Sequence, residues 1–136
     1  SNFMKINEAL QNPRVVIIQK LYSHYINKES EITFPKHRYK KFIKDVVNGV
    51  IERKDLIQNL IDTKLNQHIN SNKTELMIKL MIMAAIYEFM FMHKTPIKVV
   101  ISEYLKVSDS FVEETKKNFL NAILDKASKI SRVSNA

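Results

Sequence analysis

Residues 84–126 read AAIYEFMFMHKTPIKVVISEYLKVSDSFVEETKKNFLNAILDK, and this stretch decides the fold. A long apolar helix comes first, carrying one acidic residue near its end, Glu88. Thr95-Pro96 then forms a helix start, because the N–H that proline lacks has no partner in a first helical turn. A short amphipathic helix follows, with Ile97, Val100, Ile101 and Tyr104 facing inward. The last helix has a box-like cap in Ser110 and Glu113 and a buried stripe of Phe119, Leu120, Ile123, Leu124 and Ala127.

Upstream of this stretch the same grammar repeats. Asn12-Pro13 opens a first helix, with Val15, Ile18, Tyr22 and Tyr25 on one face and Ile17 and Leu21 widening it. The chain turns at Phe34-Pro35, where a second helix is expected to start; its stripe is Ile43, Val46, Val47, Val50 and Ile51. Gly49 sits inside that helix, at a cost of up to about 1 kcal/mol relative to alanine, so close approach of another helix is expected there. Leu56, Ile57, Leu60, Ile61 and Leu65 mark a third helix. Asn72 and Glu75 have capping-box spacing ahead of the fourth, which is apolar nearly all round and is expected at the centre. The tail after Ile130 is expected to fray.

Composition bounds the class. The chain has 136 residues, 45% of them hydrophobic, which suits one compact domain. It carries a single glycine, where about nine would be average, and tight hairpins need more. Cysteine is absent, which excludes disulfides and thiolate metal sites and fits a reducing, cytoplasmic setting. His24, His37, His68 and His93 never fall at helical contact spacing, so no metal or other cofactor is expected. The N-terminus has charges where a signal peptide would be apolar, and Ser1-Asn2 reads as a cloning remnant ahead of residues 3–11, a flexible lead-in to a domain over 12–131. Residues 132–136 are read as the frayed tail. The most apolar window, Leu76 to Met92, contains Lys79 and Glu88, whereas a membrane span needs about 20 apolar residues without central charges. No membrane association is expected.

The net charge is +8, from 22 basic and 14 acidic residues, which points to nucleic acid through release of condensed counterions. Lysine-rich solubility is the competing explanation. Lys36-His37-Arg38-Tyr39-Lys40-Lys41, extended by Lys44, is the densest basic run: either a set of phosphate contacts with Tyr39 free to stack, or the solvated first turns of a helix. Lys116-Lys117 forms a second basic pair beside Asn118. Arg14 stands at a helix start, where the dipole disfavours a cation but a phosphate would find free N–H groups. No nucleophile elbow or glycine-rich phosphate loop is present, so no catalytic residue is proposed.

Several patterns fall in order along nearly the whole chain. They are Arg14 with Gln19-Lys20-Leu21-Tyr22, Val46-Val47-Asn48-Gly49-Val50, Ala85-Ile86-Tyr87-Glu88, Pro96-Lys98-Val99-Ile101-Glu103, and Phe119-Asn121-Leu124-Asp125-Lys126. In this order they resemble the NusB family of bacterial transcription antitermination factors. The resemblance implies an all-α fold of about six to seven helices in two packed halves, and no enzymatic activity. It implies binding of boxA-like RNA together with NusE, a small-subunit ribosomal protein, and support of the RNA polymerase elongation complex through other Nus factors. Carried over, Arg14, Tyr22, Lys117, Asn118 and Phe119 would be RNA-binding, and Glu88 would face NusE from a surface edge. For Tyr22 and Phe119 plain core packing is the alternative. The sequence departs from the family at Met83, where an arginine is common, and at Val112 and Ala122, where glycine is usual. A helical protein–protein module without specific RNA binding is the competing reading.

Overall fold

The computed structural model describes residues 2–66, 69 and 74–132, with side chains from Met4 onward. The described residues form seven α-helices: α1 (Asn2–Gln11), α2 (Pro13–Ile26), α3 (Lys40–Glu52), α4 (Lys54–Leu60), α5 (Leu76–Phe91), α6 (Ile97–Phe111) and α7 (Lys117–Arg132). A π-helical turn, Ile61–Leu65, extends α4, and a 3-10 turn, Glu114–Lys116, leads into α7. No strand occurs among the described residues.

The centre is α5. Ile78, Leu80 to Ile86, Glu88 and Phe89 are all buried, and the helix packs against α2, α3, α4, α6 and α7. On one side α2 and α3 pack on each other; on the other, α6 packs on α7. The two halves therefore share α5, which is why it is apolar all round. Gly49 is where α3 makes room: a Cβ there would collide with the ring of Tyr87 on α5.

Local chemistry explains the boundaries. The Asn12 side chain accepts the Arg14 backbone N–H (3.0 Å), capping α2 ahead of Pro13 as expected. The segment 1–11, expected to be loose, is helical over Asn2–Gln11, with Ala9 and Leu10 packed on the core. The second long helix starts at Lys40, not beside Phe34-Pro35. Proline restricts the residue before it to extended backbone, and His37 then holds the segment: Nε2 meets the Leu10 carbonyl oxygen (2.9 Å) while Nδ1 accepts the Tyr39 N–H (2.9 Å). Both contacts fit a neutral imidazole protonated on Nε2.

Other expectations are corrected. The third apolar run is not one α-helix, because Thr63 Oγ1 donates to the Asn59 carbonyl oxygen (2.7 Å) in the turn that widens to π. Ile61 and Leu65 both stay buried. Ser110 lies within α6 and caps nothing; α7 is entered through the 3-10 turn. At the start of α5, Glu75 holds the cap position without a side-chain cap bond, and Asn72 lies outside the described residues. The last helix runs past Ile130 to Arg132, with Ser131 buried. Residues 133–136 lie outside the described residues.

Candidate nucleic-acid interface

Arg14 and Glu88, expected at an RNA surface and a partner surface, meet each other instead. Arg14 Nε and Nη2 donate to Glu88 Oε2 (3.0 Å) and Oε1 (2.7 Å), a two-pronged pairing of guanidinium and carboxylate. Tyr104 Oη donates to the same Oε2 (2.5 Å). Glu88 is 0% exposed, and the Arg14 side chain only 11%. The guanidinium also lies over the rings of Phe42 (4.9 Å) and Tyr104 (5.7 Å). Glu88 therefore does not sit at a surface edge; an isolated carboxylate in an apolar helix is costly, and here an arginine and a phenol compensate it. Burial alone would lower the Arg14 pKa, but the bonds to Glu88 and its charge outweigh this and hold it above the ordinary arginine value. Burial, reinforced by the Glu88 charge, pushes the Tyr104 phenol well above its ordinary value.

A second arginine completes this corner, and nothing local in the sequence signals it. Arg132 donates to the carbonyl oxygens of Phe89 and Thr95 (both 2.9 Å), Glu88 (3.2 Å) and Met92 (3.4 Å). These are carbonyls at the end of α5 and in the link to α6, so the end of α7 caps the central helix.

The remaining site residues are at the surface. Tyr22 is 41% exposed on α2, so core packing is not its role, and Phe119 is 37% exposed, outside the buried stripe of α7. Asn118 is exposed and Lys117 partly so. Two depressions that share Phe111 run from Tyr22 towards Lys117. Tyr22, Lys20 and Gln19 line a depression of about 330 Å³ together with Phe111 at the end of α6. Phe111 borders a second depression with Asp109 and Glu75; Lys116 reaches Glu75 (3.9 Å), and Lys117 bonds Asp109 (2.7 Å). The Asp109 hydrogen bond holds the Lys117 pKa above the ordinary lysine value, with Glu114 (3.7 Å) adding to it. Lys117 thus carries its charge between two carboxylates.

This helical arrangement has known counterparts. A family model described as "NusB family" matches residues 8–129. The chain belongs to the NusB family. Transcription antitermination protein NusB from Bradyrhizobium diazoefficiens is 29% identical over 109 residues, covering 80% of this chain and 66% of that protein. Transcription antitermination protein NusB from Nitrobacter winogradskyi is 31% identical over 103 residues, covering 76% and 64%. The chain thus spans somewhat less than two thirds of the length of these relatives. The solved structure of T. maritima NusB superposes with a TM-score of 0.74 at 21% identity, covering 88% of this chain and 89% of that one, which shows the shared fold.

Within this NusB-family fold the basic run leads into α3 and touches the end of α1 through His37. Lys36, Arg38 and Tyr39 precede the helix, and Arg38 stacks on the exposed Tyr39 ring (5.3 Å). Lys41 pairs with Asp45 (2.9 Å), and Lys44 lies over Phe34 (5.9 Å). Among the described residues no group of His, Asp or Glu is placed to hold a metal ion, and no helix is long and apolar enough to cross a membrane.

Proposed function

We propose that this chain is a transcription antitermination factor that binds a boxA-type RNA leader together with NusE and supports processive elongation by RNA polymerase in the cytoplasm. Family membership over residues 8–129 carries the reading. Support comes from the exposure of Tyr22 on α2 and of Asn118 and Phe119 at the start of α7, and from the depressions that run from Tyr22 towards Lys117. Tyr22 and Phe119 are the stacking surfaces for unpaired bases, Asn118 offers hydrogen bonds, and Lys117 contacts phosphate. Arg14 and Glu88 act indirectly, by bracing α2 against the end of α5 and the middle of α6. No residue is assigned a catalytic role. NusE is expected to dock without touching the Glu88 side chain.

A gel shift with a boxA-like RNA, with and without NusE, tests the reading. Tyr22→Ala and Phe119→Ala should each cost about 1–3 kcal/mol of RNA affinity if a base stacks there. Lys117→Ala should weaken binding evenly across RNA sequences and lower the salt slope by about one. No binding of either RNA or NusE overturns the proposal. Binding of NusE alone, insensitive to Tyr22 and Lys117, would favour a protein–protein module instead.

A further inference from the structure

A cavity of about 100 Å³ opens between α2, α3, α4 and α5, on residues not assigned to the RNA face. Its floor is aliphatic: Leu21, Val50, Ile51, Leu76, Leu80 and Met83. Its rim is cationic, with Lys28 from the loop after α2, Lys54 opening α4 and Lys79 on α5, and no carboxylate belongs to the lining. None of these three lysines forms an ion pair among the described residues. His24 also borders the cavity, and its Nδ1 is buried without a hydrogen-bond partner. Such an atom costs free energy until something pairs with it.

We propose that this cavity is a docking site for an acidic segment of a protein partner, which inserts one leucine-sized side chain between the helices. The volume admits an aliphatic side-chain tip and is smaller than the dry cavity of about 150 Å³ that holds benzene. Three lysines spaced around the mouth match several carboxylates flanking that anchor, and a single small carboxylate would leave two of them unmet. An RNA strand fits poorly, because its sugar and phosphate would have to cross an aliphatic floor that offers them no hydrogen bonds. A helix or strand with Asp and Glu around one apolar anchor satisfies the floor and the rim together.

The test uses the full chain and a synthetic acidic amphipathic peptide with Leu at i, i+3 and i+4 among Asp and Glu. Binding is read by fluorescence polarisation and located by methyl NMR of Leu21, Val50, Ile51, Leu80 and Met83. The expected result is saturable binding that shifts these methyls. Lys28→Glu/Lys54→Glu/Lys79→Glu should weaken it by about ten- to a hundred-fold, as three exposed ion pairs allow. Lys→Gln versions of the same sites, checked by circular dichroism, guard against a folding defect and should weaken it less. Absence of binding overturns the proposal, as does binding that leaves the methyls unmoved or is indifferent to the lysines. So does a single-stranded RNA that shifts the same methyls and displaces the peptide. Tyr22 and Lys117 are untouched throughout, so failure here leaves the RNA reading to its own test.

Discussion

Replacing Glu88 by alanine should be among the most damaging single changes in this protein. It would leave the Arg14 guanidinium, 11% exposed, with no counter-ion, and the wholly buried Tyr104 hydroxyl with no acceptor. Removing one partner of a buried pair costs about 3–5 kcal/mol, because the survivor stays buried and uncompensated. Total stability for a domain is about 5–15 kcal/mol, so a large fraction would go. At this chain length that corresponds to a fall in Tm of roughly 10–20 °C. Glu88→Lys should be as harmful or worse, since it sets two cations against each other. The decisive measurement is a double-mutant cycle by urea denaturation with Arg14→Ala, Glu88→Ala and the pair. Once both charges are gone no unpaired ion remains, so the double mutant should cost at least about 2 kcal/mol less than the two singles summed. If each single costs under about 1 kcal/mol and the two add, the buried network is not formed.

Three further outcomes are expected. Gly49→Ala should destabilise by about 1–3 kcal/mol because the Tyr87 ring occupies the Cβ position, whereas in a Tyr87→Ala background the same change should stabilise by up to about 1 kcal/mol through helix propensity; thermal melts of the four proteins decide. Arg132→Ala should cost about 2–4 kcal/mol by uncapping α5, while Lys129→Ala, losing only an exposed pair with Asp125 (3.0 Å), should cost under about 0.5 kcal/mol. The Tyr104 phenol ionises above its ordinary value of 10.0 in the folded protein. Its contribution to stability is therefore complete below that pH and is lost as pH rises towards the folded value; Tyr104→Phe should flatten this alkaline decline in denaturation curves.

Where the chemistry is local, the sequence was readable. Asn12-Pro13 marked the start of α2 because the cap involves atoms two residues apart. The all-round apolarity of α5 gave its central place, and Gly49 gave the close approach without naming Tyr87. Long-range pairing was not readable. A lone carboxylate in an apolar helix looks the same whether it faces solvent or an arginine 74 residues away. The cation at the start of α2 stands out of place in the sequence, and the structure pairs it with Glu88. For Tyr22 and Phe119, helical spacing permitted burial. Which way α2 and α7 are rotated depends on what packs beneath them, and that is set by the whole bundle.

Because α5 supplies the floor for both groups of helices, neither group owns a core of its own. Removing α6 and α7 would strip one side of a helix with no polar face, and removing α2 and α3 would strip the other. Arg132 adds to this, since the end of α7 closes the end of α5. The expected consequence is cooperativity: the described helices should unfold as one unit, with coincident urea transitions whichever helix is probed. A weakened contact at the Arg14–Glu88 corner should then lower the stability of the lysine-rimmed cavity and of the Tyr22 face together.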